Sequence, residues 1–116
     1  MPTQAVSQVR LGAESAVARL ARFFPNASPV RLPVFLTRLG VGGGALNENI
    51  VIEFGTPKEV LFATELPLEF ADELRLENSD RTFAAEASVV AVQYQSGKTV
   101  VAARFTRDVP NWIVKP

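Results

Sequence analysis

Apolar residues near the start of the chain recur with a helical period, and further on they switch to the period of a strand. Ala13, Ala16, Val17, Leu20, Phe23 and Phe24 fall at i, i+3, i+4 and i+7 spacings, which gather on one face of a helix. Glu14, Ser15, Arg19 and Arg22 take the other face. Acid at the start and base at the end suit the helix dipole. The pattern predicts a helix from Ala13 to Phe24, stopped by Pro25 and Asn26. Residues 1–12 read as a loose polar arm ahead of it. Residues 25–29 read as a linker rich in turn formers.

From Val30 the texture changes. Val30 to Leu39 alternates and is rich in strand formers. Pro33 has no N–H to donate, so this strand is expected at an edge or beginning near that point. Further strands are predicted over Asn49 to Phe54, Glu59 to Glu65, Asp72 to Glu77, Thr82 to Gln95 and Lys98 to Thr106. Turn residues punctuate them. Gly40 to Asn47, with Gly42, Gly43 and Gly44, reads as a flexible turn, since the Lys-Ser/Thr end of a phosphate loop is missing. Gly55-Thr-Pro-Lys58, Asn78-Ser-Asp-Arg81 and Ser96-Gly97 supply tighter turns. Without helices between the strands there is no crossover for parallel pairing, so the sheet is expected to be antiparallel. Six short strands joined this way favour a small barrel or a sandwich. Leu61, Leu74, Leu76, Val90, Val92, Val101 and Phe105 are the predicted core.

Composition narrows the chemistry. The chain of 116 residues has no Cys and no His. Disulfides, thiolate metal sites and the commonest general base are thereby removed. Catalysis by a serine would need Lys or a carboxylate as its base, a rarer arrangement. Twelve Lys plus Arg balance twelve Asp plus Glu, whereas nucleic-acid binders carry a basic excess to neutralise phosphates. Glu53 with Glu59 and Asp72 with Glu73 read as solvated carboxylates, because strand alternation sends Asp72 and Glu73 to opposite faces. No apolar run reaches the length of a membrane span. The first ten residues lack a secretory signal, and a cytoplasmic location is expected.

The order of elements over residues 28–112 resembles the PilZ domain family. Glu65-Leu-Pro-Leu-Glu-Phe-Ala-Asp-Glu-Leu-Arg-Leu76 resembles that family's apolar stretch before a strand of alternating leucines. Ala84-Ala-Glu-Ala-Ser-Val-Val-Ala-Val-Gln-Tyr94 is similar to its long fifth strand, and Val100-Val-Ala-Ala-Arg-Phe105 to the strand closing on an aromatic. Val109-Pro-Asn-Trp-Ile113 is similar to the ending of one PilZ branch. The resemblance implies a mainly β fold: a six-stranded antiparallel barrel with one N-terminal helix. It also implies an arm and helix over residues 1–27 and a barrel with its tail over residues 28–116, one domain overall.

Many members of that family bind the messenger cyclic diguanylate, and here the signature departs. An Arg-x-x-x-Arg segment is expected before the first strand, where two guanidiniums grip phosphate and stack on guanine. This chain has Ala27-Ser-Pro-Val-Arg31, with only Arg31 matching. The second element, Asp/Asn-x-Ser-x-x-Gly, reads Phe54-Gly-Thr-Pro-Lys-Glu59; Thr56 can stand in for Ser, while Phe54 and Glu59 do not fit. Ala71 occupies a turn position where Gly is usual.

The expected function is therefore a non-catalytic regulatory module that binds another protein, needs no cofactor or metal, and has lost cyclic diguanylate. An atypical receptor would use Arg31 and Thr56. A small enzyme or nucleic-acid-binding barrel is the third reading, and the composition opposes it. The helix face with Val17, Leu20, Phe23 and Phe24 is expected to pack on the barrel, with a partner as the alternative occupant. Too few cations accompany it for a membrane helix. Trp112 is read either as a plug of the barrel end or as an interface anchor.

Overall fold

In the computed structural model, six antiparallel strands close into a barrel in the order β1-β2-β3-β6-β5-β4. The structure describes residues 15–40, 46–95, 97–110 and 112–113. The expected N-terminal arm, most of the glycine-rich turn and Ser96 lie outside them. The strands are β1 (Ser28–Leu39), β2 (Leu46–Gly55), β3 (Glu59–Thr64), β4 (Glu73–Glu77), β5 (Ala84–Gln95) and β6 (Lys98–Phe105). They agree with the predicted runs to within a few residues at each end. Pairing of β1 with β4, from Phe35↔Glu77 to Leu39↔Glu73, closes the wall. Pro33 falls in the stretch of β1 that β4 does not reach, where a missing N–H costs least.

Alternation explains the interior. Val34 and Leu36, Ile50 and Ile52, Leu74 and Leu76 each put every second side chain inside. β3 and β6 depart from this because both their faces are covered. Val60 and Phe62 point into the barrel, while Leu61 points outward into a second cluster with Val100 and Ala102. The cover is α1 (Ala16–Ala21), which lays Val17 and Leu20 on that outer surface. The unbroken apolar run in β6 is the trace of this two-sided burial.

Two expectations need correction. The helix is shorter than Ala13 to Phe24. Ser15 is its N-cap, with Oγ accepting from Ala18 N at 3.0 Å. The same hydroxyl donates to Glu53 on β2 at 3.1 Å, tying the helix start to the barrel. After Ala21 the backbone tightens into turns, since the residue preceding Pro25 disfavours the helical region. Residues 13 and 14 lie outside the described ones. The second correction concerns β5, where a register shift between Val89 and Ala91 inserts one extra residue. Val89 becomes the buried side chain. Val90 turns to the outer cluster, and both Val90 and Val92 are only partly buried.

The 65–72 connection crosses one end of the barrel and seats Leu68 in the core. It is fastened to β5 by Ala71 N–H to Val89 O and Val89 N–H to Asp72 O, each 2.9 Å. Asp72 ends this loop rather than starting β4, accepting from Glu69 N at 2.8 Å. Ala71 has φ 74°, a left-handed conformation that its Cβ disfavours. Ala71→Gly is expected to stabilise the protein by about 1 kcal/mol. The check is the midpoint of urea unfolding, which should rise; a midpoint that falls would show an unstrained backbone.

Candidate functional site

The opposite end of the barrel brings together the start of β1, the β2–β3 turn and the C-terminal tail. Ser28↔Gly55 and Pro29↔Phe54 are paired, so the two segments on which the ligand signature was placed lie side by side. Between Pro29 and Leu32 the register of β1 shifts. Arg31 sits in this irregular stretch, exposed, its side chain making no hydrogen bond or ion pair among the described residues.

Thr56 is buried and its hydroxyl is fully engaged. Oγ1 accepts from Lys58 N at 2.9 Å and Glu59 N at 2.8 Å, and donates to Glu59 Oε1 at 2.6 Å. The other Glu59 oxygen accepts from both Nε and a terminal nitrogen of Arg104, at 3.0 and 2.7 Å. Glu59 and Arg104 face each other across β3 and β6. The carboxylate that stands where the family signature has Gly is thus neutralised by a guanidinium from another strand. Replacing the hydroxyl, as in Thr56→Val, leaves two backbone donors and one carboxylate oxygen without their partner. The expected cost is about 1–2 kcal/mol, read from chemical unfolding; an unchanged stability would show that water takes the hydroxyl's place.

Trp112 caps the same end. Its indole N–H donates to Thr56 O at 2.9 Å. Its ring meets Phe105 edge-on at 5.5 Å between centroids, and Phe83 at 5.5 Å and 42°. The ring also lies against Gly55, where a Cβ would come within 2.2 Å of it. The residue is only partly buried and, with Pro57, Lys58, Pro110 and Ile113, lines a groove of about 590 Å³. Trp112 therefore closes the barrel end on one side and forms a groove wall on the other.

The helix residues proposed for a partner are divided. Val17 and Leu20 are buried against the barrel, and Phe24 is half-buried beside them. Phe23 is 74% exposed. Sequence reasoning did not foresee the Glu59–Arg104 pair, because 45 residues separate them. It also left out Tyr94, which is 65% exposed and donates its hydroxyl to Leu68 O at 2.9 Å. Alternation gave no signal for its exposure, since it sets Tyr94 on the face of Val90 and Val92, whereas Gln93, Tyr94 and Gln95 are all exposed at the end of β5.

Among the described residues no group of three or more acidic side chains is placed to hold a metal ion, and no helix is long and apolar enough to cross a membrane. The chain matches no family model and no curated protein.

Proposed function

We propose that this chain is a PilZ-like barrel acting in the cytoplasm as a non-catalytic protein-interaction or regulatory module, and that it has lost cyclic diguanylate binding. The observation that carries this reading is the closed bonding of the β2–β3 turn. Thr56, the one residue of the second signature element that fits, spends its hydroxyl on Lys58, Glu59 and the Glu59 carboxylate. A ligand using it must first break these bonds. Arg31 remains the single arginine of an expected pair.

Micromolar binding needs about 8 kcal/mol net. Each charge-assisted hydrogen bond contributes about 1.5–3 kcal/mol, so one guanidinium on two phosphates falls short. The absence of His and Cys supports a non-catalytic role. An interaction module also suits the rigid, partly exposed Trp112 and the outward Phe23 and Tyr94, since aromatic side chains dominate protein contact energies.

Isothermal titration with cyclic diguanylate tests the loss and is expected to give no heat beyond dilution. A dissociation constant below about 10 μM, near 7 kcal/mol, would overturn it. In that event Arg31→Ala should abolish the signal, identifying an atypical receptor.

A further inference from the structure

We infer that the groove between the end of α1 and the end of β5 is the docking site for an acidic peptide segment that carries a large apolar residue beside its carboxylates. The inference rests on the interaction reading above and gives it a surface and a chemistry. The groove encloses about 530 Å³ and is lined by Arg19, Arg22, Phe23, Gln93, Tyr94 and Gln95.

Two features distinguish it from the rest of the surface. First, Phe23 and Tyr94 are two of the five large hydrophobic side chains exposed among the described residues, and both border this one depression. Tyr94 is held by its hydrogen bond to Leu68 O. The backbone of Phe23 is fixed by the turn after α1, where its N–H donates to Leu20 O at 3.0 Å. Tyr94 is thus presented with its ring already tethered, and Phe23 from a fixed backbone position. Second, the ionic lining is of one sign: two guanidiniums and, among the described residues, no carboxylate. Arg19 and Arg22 have interactions of their own, but a guanidinium carries five N–H donors and engages a carboxylate in addition to an existing partner. The side-chain amides of Gln93 and Gln95 add donors and acceptors suited to a peptide backbone.

The complementary partner presents an apolar side chain between Phe23 and Tyr94 and carboxylates to Arg19 and Arg22. The groove at Trp112 is less selective, because Lys58 and Asp108 give its lining both signs. A single-stranded nucleic acid would also stack on aromatics and meet arginines. The balanced charge of the whole chain, twelve against twelve, favours the peptide.

The test uses the full chain and a short fluorescein-labelled peptide alternating Asp or Glu with Phe or Leu, followed by anisotropy. The expected result is saturable binding that weakens with salt. Affinity should fall at least about tenfold, equivalent to 1.4 kcal/mol, in Arg19→Glu/Arg22→Glu and in Phe23→Ser. It should be unchanged in Phe35→Ser, which removes another exposed aromatic. All these positions are solvent-facing, and circular dichroism confirms the fold of each variant. No binding, equal binding of the Asn/Gln counterpart peptide, or tighter binding of oligothymidylate would overturn the inference. A photoreactive phenylalanine at position 23, and another at position 110 in the Trp112 groove, separate the two failures. Protein crosslinks in cells from position 110 alone remove this groove and keep the interaction reading. Crosslinks to protein from neither position remove both.

Discussion

Phe62→Ala is expected to lower stability by about 3–5 kcal/mol. Phe62 is the largest fully buried side chain described in the chain. It lies on the inner face of β3, paired across the wall with Ile52 and Val101. Two costs add: the transfer of the lost ring atoms, and the cavity they leave. The second is large in a closed barrel. Six mutually hydrogen-bonded strands hold the wall apart, so neighbouring side chains cannot collapse into the gap as they would beneath a loose helix. The measurement is the midpoint of denaturant unfolding at unchanged m-value. Phe23→Ala is the internal comparison, expected within about 0.5 kcal/mol of the parent because its ring already faces solvent. A loss below about 1 kcal/mol for Phe62→Ala would contradict its place at the centre of the barrel.

Gly55→Val is expected to cost about 3 kcal/mol and to dislodge Trp112. A Cβ on residue 55 would stand 2.2 and 2.4 Å from two carbons of the indole, far inside the roughly 3.5–4.0 Å of a favourable carbon contact. The ring cannot shift deeper into the barrel end, being backed by Phe83 and Phe105 and tied to Thr56 O, so it can only swing outward into the groove. Overpacking of this kind costs about 1–3 kcal/mol, and eviction of the ring sacrifices its contacts and hydrogen bond as well. Trp112 is the only tryptophan of the chain, so its fluorescence reports the event directly and should shift to longer wavelength as the ring meets water. In a Trp112→Ala background the same substitution should cost far less, giving a coupling well above the few tenths of a kcal/mol seen for independent sites. Additive effects would mean that Gly55 and Trp112 are not interlocked.

The strands were legible because their period is local. Leu74 and Leu76 alternate with Glu73, Arg75 and Glu77, and a one-residue slip would bury three charges, so the facing of β4 is written in five residues. The helix was legible in its buried face and less so in its ends. Ser15 satisfies both a helix face and a cap, and only the geometry distinguishes them. The bulge in β5 was illegible because Val89, Val90 and Val92 are all apolar, so sequence alternation cannot say which valine is the extra one. Of the candidate site, Thr56 was legible as a turn residue. Its engagement with Glu59 and the Arg104 guanidinium depended on a strand that arrives 45 residues later.

Taken by itself, the sequence determined the class of structure and its chemical limits. Period-2 runs without intervening helices leave antiparallel pairing as the way to satisfy the backbone, and the lack of His and Cys removes their chemistry whatever the fold. Tertiary structure alone decided which surfaces remain. It turned Val17 and Leu20 inward over Leu61, Val100 and Ala102, and it fitted the indole of Trp112 onto the bare backbone of Gly55. It also set Phe23 beside Tyr94 at one groove. Each of these pairs residues far apart in the chain. The physical reason is that local period specifies the face a residue takes, while its neighbour across that face is set by barrel closure and strand register.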